Sequence, residues 1–309
     1  MNPLYPELMR VFTKLKVPPV SFWPEMTSRA VYGGLGWVEY QQGDTNIIIS
    51  VPHGGQFRPP FIANREQATK VNQNVTEDEE GEDANNKVTT VADSFTKELA
   101  RTLVKEYAEL TAKRPHCIMS NLHRSKMDPN RPLDCATQGS EIAINMYNKY
   151  HSFILEAKQS ILKDGLLIDL HGQNHHQNSI EIGYLFTKGM LNSQDFTNCV
   201  PSVQSLIKRK KLQIPDIIHG ENSLGAMFEE EGFFACPSPR QKSPGRDKYY
   251  KGGYITQTHG SNISGDIDAI QLEIPSEIRY ENGEKNRDIF AKACARVLVR
   301  FMKTYYSDS

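Results

Sequence analysis

The sequence lacks a long apolar run, and its few cysteines form no recognisable pattern. A membrane-spanning helix needs about 18–20 consecutive apolar residues, whereas an aliphatic run such as Ile47–Val51 has only the length of a strand. The five cysteines include no Cys-x-x-Cys pair and their number is odd, which argues against both a cysteine zinc knuckle and a disulfide framework. These absences exclude a transmembrane segment and favour a reducing compartment.

Neither sign of charge is in excess. The 309 residues include 36 Lys and Arg against 37 Asp and Glu, which gives a net charge of −1 at pH 7, and the pI is about 6.8. Proteins that bind nucleic acid usually carry a basic face and have a high pI. The composition therefore predicts a small-molecule or short-peptide partner, and neither a nucleic acid nor a membrane; it carries no signal of an oligomeric state.

The beginning of the chain does not resemble a secretory signal peptide. Its first residues, Met-Asn-Pro-Leu-Tyr-Pro-Glu, contain neither the basic start nor the apolar segment that such a peptide needs. We therefore expect a cytoplasmic protein, and secretion would require a leader that has been removed.

One strongly acidic segment interrupts an otherwise even composition. Residues 64–88 are polar and include the run Glu77-Asp-Glu-Glu-Gly-Glu-Asp83. Charge runs of this kind are typical of solvated surface segments, so we predict an exposed loop over 64–88. The chain shows no internal repeat and no low-complexity linker, which predicts one domain over residues 1–309.

Short β-rich runs alternate with amphipathic segments along the chain. The patterns predict strands at 46–52, 116–121, 166–170, 179–186 and 269–274, and helices at 93–110, 141–162 and 288–305. Strands that alternate with helices of this length are typical of a sheet covered on both faces. We predict an α/β fold with a mixed, mostly parallel sheet and helices on both faces.

Ionisable side chains follow the predicted strands where each strand ends. His53 directly follows the first strand, and the polar segment 121–131 follows the second. The third strand runs into Asp169 and His171, and the last ends near Glu273. In open α/β sheets the ligand lies outside the carboxyl ends of the strands, so we expect these side chains to converge there.

The two histidines have the properties of metal ligands. His53 and His171 each stand at a strand end and are followed by glycine, which lets the backbone turn sharply. Two histidines with a carboxylate form the ligand set of a catalytic zinc site that keeps an open position. Asp169 lies two residues before His171 and therefore on the same strand face, where it could orient that ligand by a hydrogen bond.

The residues alone do not identify which carboxylate would be the oxygen ligand of the metal. Asp93 begins a predicted helix, where aspartate is also a favoured N-cap. Glu82 and Asp83, in the acidic loop, are the competing candidates. The spacing alone does not choose among them.

The loop after the second strand has the composition of an anion-binding segment. Residues 123–131 combine Arg124, two further cations, an aspartate and Asn130. The planar guanidinium of Arg131 pairs bidentately with a carboxylate, and Asn130 adds a neutral donor. The pair therefore suits the free carboxylate of a substrate; the alternative is a loop braced by Arg–Asp salt bridges.

Glu273 is a carboxylate in an otherwise apolar strand, Ala-Ile-Gln-Leu-Glu-Ile-Pro. A glutamate beside an activated water is the usual general base of metal-assisted amide hydrolysis. The alternative role is an ion pair with Arg279 or with an arginine of the loop. We interpret His175 and His176 as residues at the rim of the site that face the substrate rather than as metal ligands.

Several motifs together resemble the N-formylglutamate amidohydrolase family over about residues 45–280. They are Val51-Pro-His-Gly-Gly55, Asp93-x-x-Thr96-x-Glu-Leu-Ala100, Asn121-Leu-His-Arg-Ser-Lys-x-Asp128-x-Asn-Arg131, Ile168-Asp-Leu-His-Gly172 and Gln271-Leu-Glu-Ile274. The resemblance implies a zinc carboxypeptidase-like fold of the phosphorylase/hydrolase type. It also implies a zinc-dependent amidohydrolase that releases an acyl group from an amino acid or cleaves a peptide-like amide.

The resemblance also implies roles for individual residues. His53, Asp93 and His171 match the metal ligands, and Glu273 matches the catalytic glutamate. Asn130 and Arg131 match a pair that holds the substrate carboxylate. Segments that contain Tyr254 and His259 match pocket walls, and the acidic insertion leaves Glu82 and Asp83 as alternative ligands. The family name does not transfer a substrate.

The combined hypothesis is an amide hydrolase with one zinc ion per chain. Glu273 takes a proton from water and returns it to the leaving nitrogen. Arg124 binds either the developing oxyanion or a substrate carboxylate. The substrate is an N-acyl amino acid or small peptide-like molecule, bound by Asn130 and Arg131 with His123, His175, Tyr254 and His259. The alternative hypotheses are a metal-binding protein and a metal-free carboxylate-binding protein, each without turnover.

Overall fold

A computed structural model describes residues 30–33, 36–66, 88–280 and 282–307. The described residues from Val31 onward belong to one compact unit. Glu82, Asp83 and most of the predicted loop 64–88 lie outside the described residues. Residues 1–29 also lie outside them, so the single domain over 1–309 stays a prediction.

A mixed sheet forms the centre of the described chain. Its strands are β1 (Ala30–Gly33), β2 (Val38–Gln41), β3 (Ile47–Val51), β4 (His116–Ser120), β5 (Gly165–Gly172), β6 (Ile180–Gly183), β7 (Ala235–Cys236) and β8 (Ile267–Ile274). Within the described residues they form eight strands in the order β1-β2-β4-β3-β5-β8-β6-β7. Strands that are distant in the chain are therefore neighbours in the sheet.

The strand directions confirm the predicted fold class. β3 pairs in parallel with β4 and with β5, β5 pairs in parallel with β8, and β6 with β7. β2 and β6 are antiparallel to their neighbours β4 and β8. The predicted strand 179–186 ends earlier, at Gly183, because Leu185 has a left-handed backbone with φ of 76° that turns the chain out of the sheet.

Helices cover the sheet on both faces. In the described residues they are α1 (Thr96–Thr111), α2 (Leu133–Thr137), α3 (Glu141–Ser160), α4 (Lys188–Ser193), α5 (Gln204–Lys210), α6 (Ile214–His219), α7 (Leu224–Glu230), α8 (Tyr254–His259), α9 (Ser276–Arg279) and α10 (Glu284–Tyr305). The helix predicted over 93–110 begins later, at Thr96, because Phe95 has a left-handed φ of 68°. The helix predicted over 141–162 ends at Ser160, because Ile161 is extended. No helix in these ranges is long and apolar enough to cross a bilayer.

The alternation of side chains along the strands separates an apolar face from a face that carries polar groups. Ile49, Ile168 and Ile270 pack in the core with residues of α1 and α10. On the opposite face, Oγ of Ser50 lies 2.8 Å from the hydroxyl of Tyr150 in α3. Because successive residues of a strand alternate between faces, the α3 side of the sheet also carries Asp169, His171, Gln271 and Glu273. The predicted functional side chains therefore share one face at the carboxyl ends of β5 and β8.

Candidate metal centre

Three buried side chains direct potential ligand atoms to one point. Oδ2 of Asp93 lies 3.3 Å from Nδ1 of His53 and 3.1 Å from Nδ1 of His171. One ligand atom from each residue lies within 4.8 Å of the other two. The rings of His53 and His171 are 4.7 Å apart between centroids, at an interplanar angle of 68°. Two imidazole nitrogens and one carboxylate oxygen could hold a metal ion here.

Backbone contacts fix Asp93 between the two histidines. Its amide donates to the carbonyl of His53 at 3.0 Å, and the amide of Gly172 donates to Oδ2 of Asp93 at 3.2 Å. The helix α1 begins at Thr96 without a side-chain cap. The N-cap interpretation of Asp93 is therefore wrong, because its carboxylate faces the histidines instead.

Because Gly55 has no side chain, the segment around Leu122 packs close to the loop that carries His53. A Cβ atom at Gly55 would lie 2.3 Å from the carbonyl oxygen of Leu122. This space lets residues 55–57 form isolated β-bridges to the segment that follows β4. The glycine after the first strand thus brings the loop of His53 against the loop that contains Asp128.

The other nitrogen of each histidine contacts a separate buried carboxylate. Nε2 of His53 lies 2.6 Å from Oδ1 of Asp128, and Nε2 of His171 lies 2.9 Å from Oδ2 of Asp169. Such carboxylates fix the orientation of metal-binding imidazoles and raise their basicity. The spacing predicted the position of Asp169. The composition of the loop indicated only salt bridges for Asp128, and no pattern in the sequence predicted its contact with His53.

Two arginines hold the carboxylate of Asp128. Oδ2 accepts from Nε of Arg124 at 2.8 Å and from Nη1 of Arg65 at 3.1 Å. Burial raises the pKa of Asp128, but Arg124 and His53 outweigh burial and hold this pKa well below its usual range. Arg65 falls within the loop predicted to be exposed, yet its side chain is buried, so that prediction is wrong for Arg65.

The charges at the centre stabilise one another. Burial raises the pKa of Asp93, but the charge and hydrogen bonds of His53 and His171 keep this pKa well below its usual range. Burial lowers the pKa of His171, but Asp169 and Asp93 together raise it well above its usual value. The centre therefore places an anionic oxygen of Asp93 between two imidazole nitrogens.

Replacement of Asp128 by asparagine should weaken metal binding without removing a ligand. The new amide would keep the size of the side chain but would lose the charge that orients His53, and the loss of such a partner costs about 10–100-fold in metal affinity. Zinc dissociation constants from competition with a chelating dye measure the effect. An affinity equal to that of the wild type would show that Asp128 only braces its loop.

Glu273 lies beside His171 on the neighbouring strand. Parallel pairing of β5 and β8 sets the two residues directly opposite each other. The Glu273 carboxylate is buried and accepts from Nε2 of Gln271 at 2.9 Å. Arg279, the alternative ion-pair partner, donates instead to backbone carbonyls and to the Asn174 side chain.

The chain is similar in structure to a solved amidohydrolase. The crystal structure of N-formylglutamate amidohydrolase from Ralstonia eutropha gives a TM-score of 0.47 at 13% identity, over 87% of this chain and 97% of that chain. A gene product of Agrobacterium tumefaciens gives 0.48 at 12% identity, over 89% and 96% of the two chains. No protein-family model and no curated protein matches the sequence. The Ralstonia protein carries the name of the family that the sequence motifs resemble.

A further histidine–carboxylate pair lies next to Glu273. Glu181 of β6 stands opposite Glu273 in the antiparallel pair with β8. Nδ1 of His175 lies 2.6 Å from Oε1 of Glu181, and the ring of His175 stacks on Tyr250 at 4.8 Å between centroids. His175 is partly exposed, unlike the two histidines of the metal centre.

The two residues predicted to bind a substrate carboxylate, Asn130 and Arg131, differ in exposure. The Asn130 side chain is fully buried; its Nδ2 lies 3.3 Å from Nε2 of His171, and its Oδ1 accepts from the amide of Ile255 at 2.8 Å. Arg131 is partly exposed and donates from Nη1 to the carbonyl of Asn130 at 2.8 Å. Asn130 thus contacts a candidate ligand directly, and Arg131 lies at the outer side of the loop.

The remaining predicted binding residues form two further groups. His123 contacts Nη2 of Arg58 at 2.6 Å, and burial, with Arg58 and Lys126, lowers its pKa to about 4. His259 contacts His151 at 2.8 Å between ring nitrogens, and burial lowers its pKa to about 3. Tyr254, at the start of the same helix α8, also lies near the ring of His151. Both His123 and His259 are thus held neutral at pH 7.

Proposed function

We propose that the protein is a zinc-dependent hydrolase that cleaves an amide C–N bond of an N-acyl amino acid or a small peptide-like substrate. The observation that carries this proposal is the convergence of Nδ1 of His53, Nδ1 of His171 and Oδ2 of Asp93. A set of two histidines and one carboxylate is the protein ligand set of many catalytic zinc sites.

The surroundings of the three donors fit a zinc ion. Each imidazole offers one nitrogen to the common point and contacts a carboxylate with the other, from Asp128 or Asp169. Three protein ligands leave a coordination position for water or substrate, as in catalytic sites. When bound, zinc supplies Lewis acidity, which polarises a carbonyl group and makes water a stronger acid.

The position of Glu273 suits proton transfer. Its carboxylate lies on the face and at the register position of His171, so it would be close to both the attacking water and the leaving nitrogen. Glu273 would accept the proton of the water and then donate it to the nitrogen as the C–N bond breaks. The amine then leaves with that proton, and the acyl group leaves as a carboxylic acid that loses its remaining proton to the amine or to solvent.

Other polar residues would bind the substrate. We assign its free carboxylate to Arg131 with Asn130, and the walls of the site to His123, His175, Tyr254 and His259. Arg124 is engaged at Nε by Asp128, while its Nη1 lies 3.9 Å from Oδ1 of Asp93. Its guanidinium would stabilise the negative charge that develops on the carbonyl oxygen.

Metal analysis and a substrate screen test the proposal together. The protein, purified without added metal and then equilibrated with zinc, should hold about one ion per chain, as expected of a catalytic site with three protein ligands. It should also release amine from some N-acyl amino acids or short peptides. Zinc retention without turnover would support a binding protein instead. Failure to retain zinc would overturn the assignment of a metal centre.

The substitution Arg131→Lys tests the substrate carboxylate. Lysine keeps the charge but cannot reproduce the bidentate geometry of the guanidinium. We expect a large loss of kcat/KM for substrates with a free α-carboxylate and a small loss for their amidated analogues. Arg209→Lys is the control, because Arg209 pairs with Asp164 before β5, at the opposite end of the sheet. An equal loss on acids and amides would mean that Arg131 only braces its loop.

A further inference from the structure

We infer that Arg279 is a positioning residue, which sets the relative positions of Asp93, His171 and Glu273 through the backbone beside each of them. The inference rests on the proposed function. It adds a residue whose hydrogen bonds go not to the three side chains but to the backbone next to each of them.

The guanidinium of Arg279 joins three segments that are far apart in sequence. Nε donates to the carbonyl of Ile274 at 3.0 Å, Nη1 to that of Ser94 at 2.9 Å, and Nη2 to that of Gln173 at 2.8 Å. Ile274 follows Glu273, Ser94 follows Asp93, and Gln173 lies two residues after His171. Nη2 also donates to Oδ1 of Asn174 at 3.0 Å.

Because Arg279 is buried, its hydrogen bonds strongly restrict the relative positions of the three segments. The side chain is only 1% exposed and is among the largest fully buried side chains of the described residues. All four acceptors are neutral oxygens, so the bonds engage four of the five N–H donors of a buried cation. Hydrogen bonds to a charged group are stronger than those between neutral groups. A shift of any one segment would leave a buried donor or acceptor unsatisfied, which is costly.

Gly172 makes room for this guanidinium. A Cβ atom at Gly172 would lie 2.4 Å from Cζ of Arg279 and 2.5 Å from its Nε. Any larger residue would push the guanidinium away from the carbonyls or would move the end of β5. The glycine after His171 is thus explained by the contact with Arg279.

A lysine at position 279 cannot replace the arginine. The guanidinium reaches the three segments through Nε and both terminal nitrogens, which diverge in one plane. A lysine ammonium is a single point at the end of a flexible stem and cannot bond to all three carbonyl groups. Arg279→Lys therefore keeps the charge and most of the volume but releases at least one segment.

The test compares zinc binding and catalysis in the wild type, Arg279→Lys and Gly172→Ala. We expect the zinc dissociation constant to rise about 10-fold or more, within the range found when partners that orient ligands are lost, and kcat to fall while KM changes less. The absorption spectrum of the cobalt-substituted protein should also change, since it reports ligand geometry. Arg209→Lys, at the other end of the sheet, should match the wild type in all three measurements.

Circular dichroism and thermal unfolding separate positioning from stability. If Arg279 only stabilised the fold, both variants would unfold at a lower temperature but, when folded, would bind zinc and cobalt as the wild type does; that outcome would overturn the inference. If Arg279→Lys does not fold, the zinc affinity and the cobalt spectrum of Gly172→Ala, which retains the arginine, test the inference without it. Failure of the wild type to bind zinc would overturn the proposed function itself.

Discussion

The substitution Glu273→Gln should lower kcat by about 100-fold or more while zinc remains bound. Glutamine has nearly the same shape and can still accept the hydrogen bond from Gln271, but its amide cannot take a proton from water. Since Glu273 is not among the three assigned ligands, the metal content should be unchanged. Steady-state kinetics and metal analysis on the same preparation give both quantities.

The buried carboxylate of Glu39 provides a matched control for this variant. Glu39 lies in β2 opposite Met119 of β4 and pairs with Arg101 of α1 at 2.8 Å, on the sheet face opposite the one that carries Glu273. Glu39→Gln should therefore change stability more than kcat. If Glu273→Gln kept turnover within a few-fold of the wild type, the general base would be another group, and Glu181, which stands opposite Glu273 in the sheet, would be tested next.

The substitution His171→Ala should abolish zinc binding and activity together. His171 supplies one of three protein ligands, and two ligands seldom hold a catalytic zinc ion. The loss of the ring would also leave Asp169 without its histidine partner and Asp93 with only one of its two. Metal content after dialysis and amide hydrolysis at saturating substrate are the two measurements.

His116→Ala controls for the loss of any buried histidine. His116 begins β4 and contacts the hydroxyl of Tyr40 at 2.8 Å, and it is as well buried as the candidate ligands. This variant should keep zinc even if its stability falls. Zinc retained at about one ion per chain in His171→Ala would overturn the ligand assignment.

Much of the fold was predictable because long strands and helices have clear periodicity. The strand predicted at 46–52 is observed at Ile47–Val51, with every residue buried. The strand β2 was missed because its sequence, Val-Glu-Tyr-Gln, is short and half polar. The two-residue strand β7 carries too few residues for any period to show.

The convergence of side chains at the strand ends could also be predicted, because parallel strands present their carboxyl ends at one edge. The period of two places Asp169 and His171 on one face. The contacts of Asp128 with His53, and of Arg279 with three carbonyl groups, could not be predicted. They depend on how loops pack against each other in space, and no local pattern in the sequence encodes that packing.

The order of the strands brings the candidate metal ligands together from segments that are far apart in the chain. His53 follows β3, Asp93 precedes α1, and His171 ends β5, so the three candidate ligands meet only after long stretches of chain have been closed into the sheet. Closing a long loop lowers the chain entropy before the stabilising contacts between distant segments have formed. A metal ion that binds only the folded state adds its binding free energy to stability. An ion bound by these residues should therefore raise the unfolding temperature, and thermal unfolding with and without zinc measures how strongly it joins the distant segments.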